Sequence, residues 1–321
     1  MVGALVISLD FEMMWGSTNA DRSVRAKLER SVPHVPLIVE RILQLFNRYS
    51  IHATWNVVGA LACSGKQEAR RLCLEAIPEP YLSSALSFVD QISDEARYFA
   101  PGTVALIIGT HGQRIASHSF THYAVYEHSE NVAATLGGEI RLSKQALARL
   151  GAGIRAIAFP KNQINDAALA ACSSQGIRIY RGCRQSLHRL GQGPGPLNRV
   201  VRLLDAYLVP VLGSRSYCWE SIRRGDMCDV RESRFFRPYS RLLAPLEPLK
   251  LSVIKREMTM AARHGEVYHL WWHPHEFAPA VERNLQQLES ILQHYQYLKA
   301  TYAFRSLSME ECGLAMLNPY A

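Results

Sequence analysis

The sequence has no pair of cysteines at CxxC spacing. Its seven cysteines, at 63, 73, 172, 183, 218, 228 and 312, are odd in number and irregularly placed. That pattern argues against a disulfide framework and against a zinc knuckle, and suits a reducing compartment, so a cytoplasmic location is expected. A long hydrophobic run is also missing. The longest late apolar segment, LLDAYLVPVLG, carries an Asp and a Pro and falls well short of the ~20 residues a spanning helix needs, so no transmembrane segment is expected. The N-terminus lacks a basic region and its apolar stretch stops at Asp10, so no secretory leader is expected. Internal repeats, low-complexity tracts and a Ser/Gly-rich linker are absent, and only LGQGPGPL reads as flexible. The absences leave one domain over residues 1–321, with less regular insertions at about 63–110 and 184–245.

What is present is an ordinary globular composition, 48% hydrophobic and 20% charged, with a formal net charge of +8. Such a charge first means a solvated, soluble surface; it leaves open phosphates, anionic headgroups and peripheral membrane association. Basic residues without a recognised module give no reason to expect nucleic acid as a partner. Short β-branched runs alternate with amphipathic stretches. ALVISLDF, IHATWNVVG, RIASHS, IRAIAFP, IRIYRG, EVYHLWW and a weaker DVRESRFF read as strands. PLIVERILQLFNRY gathers Ile38, Ile42, Leu45 and Tyr49 on one face. GGEIRLSKQALARLG does the same with Ile140, Leu147 and Leu150, and Gly151 follows as a helix stop. NDAALAACSSQG reads as a third helix ending at Gly176. This alternation predicts an α/β fold with a mostly parallel sheet, and the number of units favours a closed or nearly closed barrel.

In a parallel barrel, chemistry belongs at the carboxyl ends of strands, and four polar clusters fall there. The first strand ends in Asp10 and Glu12; residues two apart in a strand point the same way, so two carboxylates converge and require a proton or a cation. ASHSFTH places His118 and His122 four apart, the spacing at which one helical turn would bring both rings to a metal. AFPKNQ ends a strand at Pro160 and offers Lys161, Asn162 and Gln163 with backbone N–H groups that could donate to an oxyanion. YHLWWHPHEF crowds His269, His273, His275 and Glu276 against tryptophans. Taken singly, each cluster has a structural explanation in capping or core packing. Together they are the inventory of a metal-assisted hydrolase.

In order along the chain, SLDFE, IHATWNVVG, GQRIASHSFTH, EIRLSKQAL, AFPKNQ, HLWWHPHEF and YAFRSLSMEE resemble the motifs of the polysaccharide deacetylases (NodB homology, carbohydrate esterase family 4), in the variant with D-x-E and H-P-x-E. The resemblance implies a distorted (β/α)7 barrel and metal-dependent removal of an acetyl or related acyl group from a sugar. It implies Asp10 as the base that deprotonates a metal-bound water. Glu12, His118 and His122 are then the ligands of a divalent metal, most simply Zn2+, and His273 is the acid that protonates the leaving amine. The Lys161 N–H is an oxyanion donor. Trp55, Asn162, Trp272, His275, Arg234 and Arg237 are the candidates for binding the substrate.

Two positions depart from the motifs. Phe11 stands where the family has its metal-binding Asp, so the ligand falls to Glu12. Ala158 stands where an Arg orients the base, a task left to Lys161, Arg181, Arg234 or Arg237. The segment SRSYCWESIRRGDMCDVRESRFFRPYSR, with seven arginines among aromatics, reads either as a solvated excursion or as a mouth for a phosphate- or lipid-linked saccharide. The second reading fits assembly of a bacterial surface polysaccharide such as O-antigen or capsule. The alternative function is a catalytically silent protein of the same fold that binds saccharide or acts as a scaffold.

Overall fold

The computed structural model describes residues 1–17, 20–128, 130–183 and 215–317. LLDAYLVPVLG, LGQGPGPL and the first part of the expected 184–245 insertion lie outside the described residues.

The sheet is built from β1 (Ala4–Phe11), β2 (Ala53–Val57), β3 (Gln113–Ser117), β4 (Ala156–Ala158), β5 (Ile179–Arg181), β6 (Arg223–Arg224), β7 (Met227–Asp229), β8 (Arg234–Phe235), β9 (Val267–Trp272) and β10 (Arg305–Leu307). Its order is β6-β7-β5-β4-β3-β2-β1-β9-β8. β1 pairs with β9 along most of its length. On its other side it pairs first with β10, at Ala4–Val6, and then with β2, at Ser8–Phe11. Among these strands every pairing is parallel except β6 with β7, and an isolated antiparallel bridge joins Tyr217 to Val267 of β9. The expected α/β class holds, and the sheet curls nearly round on itself: the backbone that leads from β7 to β8 donates first to β5, from Val230 and Glu232, and then to β9, from Ser233 and Phe236.

Helices α1 (Arg22–Ser31), α2 (Val35–Arg48), α3 (Lys66–Ala76), α4 (Tyr81–Asp90), α5 (Pro101–Gly109), α6 (Val132–Ala148), α7 (Asp166–Ser174), α8 (Glu247–His264), α9 (Val281–Tyr302) and α10 (Met309–Leu317) accompany it. Asp21 caps α1 and Asn165 caps α7 by accepting backbone N–H groups of the first turn. α2 buries Ile38, Ile42 and Leu45 as its periodicity predicts. Gly151 takes φ +89° just after α6, a left-handed conformation that glycine adopts without penalty. The 63–110 segment, read as less regular, instead holds α3, α4 and α5.

Side-chain parity organises the interior. Leu5, Ile7, Leu9 and Phe11 of β1 face the helices in one large core, with Trp55, Tyr268, Leu270 and Trp272. Ala4 and Val6 face the opposite side and join Ala116, Ala156, Ile179 and Val267 in a second, smaller core. Met309, Cys312 and Met316 of α10 complete that second core and close the amino end of the sheet. Farther along β1 the same inner face carries Ser8 and Asp10, so the interior changes from apolar to polar toward the strands' carboxyl ends.

Candidate active site

A cavity of about 490 Å³ opens at that polar end, lined by residues that include Asp10, Glu12, His118, His122, Lys161, Asn162, Trp271 and His273. Asp10 leaves β1 on the inner face and is nearly fully buried. Arg181, at the end of β5, grips it with two parallel bonds, Nη1 to Oδ1 and Nη2 to Oδ2, each 2.7 Å. Asn56, its register partner on β2, donates Nδ2–H to Oδ1 at 2.7 Å. Burial would raise the Asp10 carboxyl, but the Arg181 charge, with His118, the Arg181 hydrogen bonds and His273, holds it well below the usual carboxylate range. Asp10 is therefore ionised at any ordinary pH.

Arg181 resolves the missing orienting arginine. Ala158 of β4 pairs in register with Arg181 of β5, so the two side chains sit next to each other on the inner face. The guanidinium reaches Asp10 from the neighbouring strand, across the space a methyl group leaves. It lies 4.3 Å from the Trp271 ring centroid and donates to Ser8 Oγ and Asn162 Oδ1. His269 supports it from behind. Its Nδ1–H donates to the Val230 carbonyl at 3.0 Å, so Nε2 is the acceptor for the Ser8 hydroxyl at 2.8 Å. Burial, with Arg181 nearby, pushes this imidazole down to about 3, so it stays neutral.

Glu12, and not Asp10, joins the histidine pair. Its Oε2 lies 3.0 Å from His122 Nε2 and 3.6 Å from His118 Nε2. Ligand atoms of the three all fall within 4.8 Å of one another. Gly16 permits this, since a Cβ there would lie 2.3 Å from Glu12 Oε1. Burial favours a neutral Glu12, yet His273, His118 and His122 together hold it well below the usual range. Phe11 points outward, edge-on to Trp55 in the helix-facing core, so strand parity alone excludes it from the site.

The two histidines meet by a route other than the expected helical turn. His118 continues the inner face of β3, and the chain then turns irregularly, with Ser119 at φ +58° and His122 at φ +64°. Glu139 of α6 pins this turn: Oε2 accepts the Phe120 and Thr121 N–H groups and Oε1 accepts the Thr121 hydroxyl, all at 2.7 Å. His118 Nδ1 donates to the Ala158 carbonyl at 2.7 Å, which leaves the Nε2 lone pair facing Glu12. His122 Nδ1 is buried without a partner and its imidazole is pushed down by burial, as suits a neutral donor. Two imidazoles and one carboxylate are a donor set that fits a divalent metal with positions left open.

His273 follows β9. Its Nε2 lies 3.7 Å from Glu12 Oε1 and 3.8 Å from Asp10 Oδ2, and its Nδ1 faces Glu276 at 3.4 Å. Burial alone would lower it, but the three carboxylates Glu12, Glu276 and Asp10 push it up to about 9, so it carries a proton at neutral pH. Lys161 sits in a left-handed turn at φ +53°, which Asn162 and Gln163 close by donating to Phe159 and Pro160, and its side chain pairs with Glu127. That turn does not draw on the Lys161 N–H.

The expected sugar-binding residues divide. Asn162 lines the cavity and also orients Arg181. Trp55 and Trp272 are a correction: both occupy outward positions in the helix-facing core, and the inner face carries Trp271. Positions 269, 271 and 273 share one side of β9, so the identity of His273 already carried this information. Arg234 is also corrected. It is buried with its guanidinium on Glu257 by two 2.7 Å bonds, on the outer side under α8. His275 packs its ring 5.0 Å from that of His273, and burial pushes it down to about 4. Arg237 lines a different cavity.

Among solved structures, a candidate polysaccharide deacetylase from Mycobacterium smegmatis aligns over 97% of this chain and 89% of its own, at 14% identity and a TM-score of 0.56. Another, from Pseudomonas aeruginosa PAO1, aligns over 99% and 93%, at 10% identity and a TM-score of 0.54. This is the fold of the polysaccharide deacetylases. The sequence matches no family model and no curated protein. The sheet of that fold is curled here, and the candidate residues gather at the polar, carboxyl end of its strands.

Proposed function

We propose that the protein is a metal-dependent deacetylase that hydrolyses an N-acetyl or related acyl group on a sugar. The observation that carries the proposal is the convergence of Glu12, His118 and His122 beside an arginine-held Asp10 and a protonated His273. Glu12, His118 and His122 would hold the cation, zinc by the nature of the donors. A cation bound there would polarise the acyl carbonyl and ease deprotonation of water.

The chain supplies the remaining groups. Asp10, kept ionised and fixed by Arg181 and Asn56, accepts the proton of the attacking water. His273 delivers its proton to the leaving amine, and Asp10 and Glu12 keep that proton on the ring until then. Lys161 lines the cavity, and its N–H would donate to the developing oxyanion. Asn162 and Trp271 line the cavity where the sugar would rest.

The same reading takes the substrate to be a phosphate-bearing saccharide of bacterial surface-polysaccharide assembly in the cytoplasm. Supporting it are the net charge of +8 and the fact that all seven cysteines are free. Metal content and acetate release from acetylated amino sugars test the proposal together. Near-stoichiometric metal is expected, lost in Glu12→Gln and retained in Asp10→Asn, with turnover lost in both. Metal-free protein that releases no acetate after zinc is added would instead indicate a catalytically silent binding protein.

A further inference from the structure

A second surface stands out beside the catalytic cavity. Residues 241–249 read RLLAPLEPL, and the exposed members are Arg241, Leu242, Pro245, Leu246, Pro248 and Leu249. Five of these six are apolar and the sixth is a cation. Leu242 is 93% exposed, Leu246 42% and Leu249 37%. Single exposed leucines are normal, but three within eight residues, one of them almost wholly in solvent, form a patch. The acid of the stretch, Glu247, is buried and held by Lys250, Gln287 and the Ser240 N–H, so it places no negative charge on this surface. Next to the patch lies a cavity of about 420 Å³ lined by Arg237, Tyr239, Ser240, Arg241 and Leu243, with Pro279 and Ala280 opposite.

We infer that this patch docks the protein on an anionic phospholipid surface. Leucines that enter the headgroup–acyl boundary, flanked by arginines that meet lipid phosphates, are the pattern of an interfacial anchor. A second copy of the chain is a poorer occupant: a two-fold contact would bring Arg241 of both copies into one interface, where like charges repel. Position supports the same occupant. Arg237–Leu243 follow the carboxyl end of β8, and Pro279 and Ala280 follow that of β9 and His273. The patch and the catalytic cavity therefore belong to the same end of the sheet, and a protein seated by the patch presents its catalytic mouth near the bilayer. This inference stands independently of the chemistry proposed for the cavity.

Co-sedimentation with phosphatidylglycerol–phosphatidylcholine vesicles, against phosphatidylcholine alone, tests it. The wild-type protein is expected to bind the anionic vesicles and to release as salt is raised. Leu242→Asp should weaken binding about tenfold or more, by removing the leucine that would enter the bilayer boundary and adding a repelled charge. Arg241→Gln should weaken it about fivefold. Leu242 is almost fully exposed, so its replacement leaves folding intact, and circular dichroism checks this. Both variants should keep wild-type metal content and acetate release, which separates this result from the fate of the proposed chemistry. Equal binding to neutral vesicles, wild-type binding by Leu242→Asp, competition by inorganic phosphate, or dimerisation in place of vesicle binding would each overturn the inference.

Discussion

Arg181 and Asp10 are both buried, and each satisfies the other with two bonds. Removing one partner strands the other charge, so Arg181→Ala should cost about 3–5 kcal/mol in chemical denaturation. It should also lower kcat about a hundredfold by freeing the base to turn. Because Ala158 and Arg181 are register partners, the double variant Ala158→Arg/Arg181→Ala should recover part of that rate. A double variant as slow as the single would show that position 158 cannot serve Asp10. At His273 the proton is held by carboxylates, Glu276 among them. The stability that this proton contributes is full below the ordinary imidazole value of 6.5 and is lost as pH rises through about 9. Glu276→Gln should therefore move the alkaline limb of the rate profile about one unit lower, and an unmoved limb would mean Glu276 does not tune the acid.

The turn from Ser117 to Tyr123 sets how the His118 and His122 rings meet Glu12. Its two left-handed residues are not glycine, a conformation that costs energy unless the surroundings enforce it. Glu139 supplies three of the bonds that do so. Glu139→Ala leaves the buried Phe120 and Thr121 N–H groups without their acceptor and should cost about 1–3 kcal/mol. It should also weaken zinc binding about 10–100-fold in calorimetric titration, although Glu139 touches no ligand ring, while Glu139→Asp should restore part of the affinity. Unchanged affinity would reduce Glu139 to a packing role. The spacing of His118 and His122 was legible in the sequence, and the means of joining them was not, because an i,i+4 pair suggests a helix and the chain uses a pinned turn. Strands tell a similar story. The pairing of Asp10 with Glu12 and the exclusion of Phe11 follow from period-two alternation in β1, yet the same alternation, applied from His273, would have chosen Trp271 over Trp272.

At the scale of the whole molecule, the Glu12, His118 and His122 side chains come from two segments more than a hundred residues apart. A metal that joins them binds only the folded chain. At a free concentration one hundred times Kd it should add about 2.7 kcal/mol to stability. Dialysis against a chelator should lower Tm, zinc should restore it, and His122→Ala should abolish the difference. A Tm indifferent to both would argue against a metal centre there.

The sequence by itself determined the strand–helix alternation, the polar strand ends and the inward pairing of Asp10 with Glu12, because local periodicity and residue spacing carry that information. Only the tertiary structure decided that Arg181 replaces the arginine missing at Ala158, that Arg234 is turned away under α8, and that a pinned turn joins His118 to His122. Those outcomes depend on strand register and on which face each strand presents, properties of neighbours distant in sequence that no local pattern records.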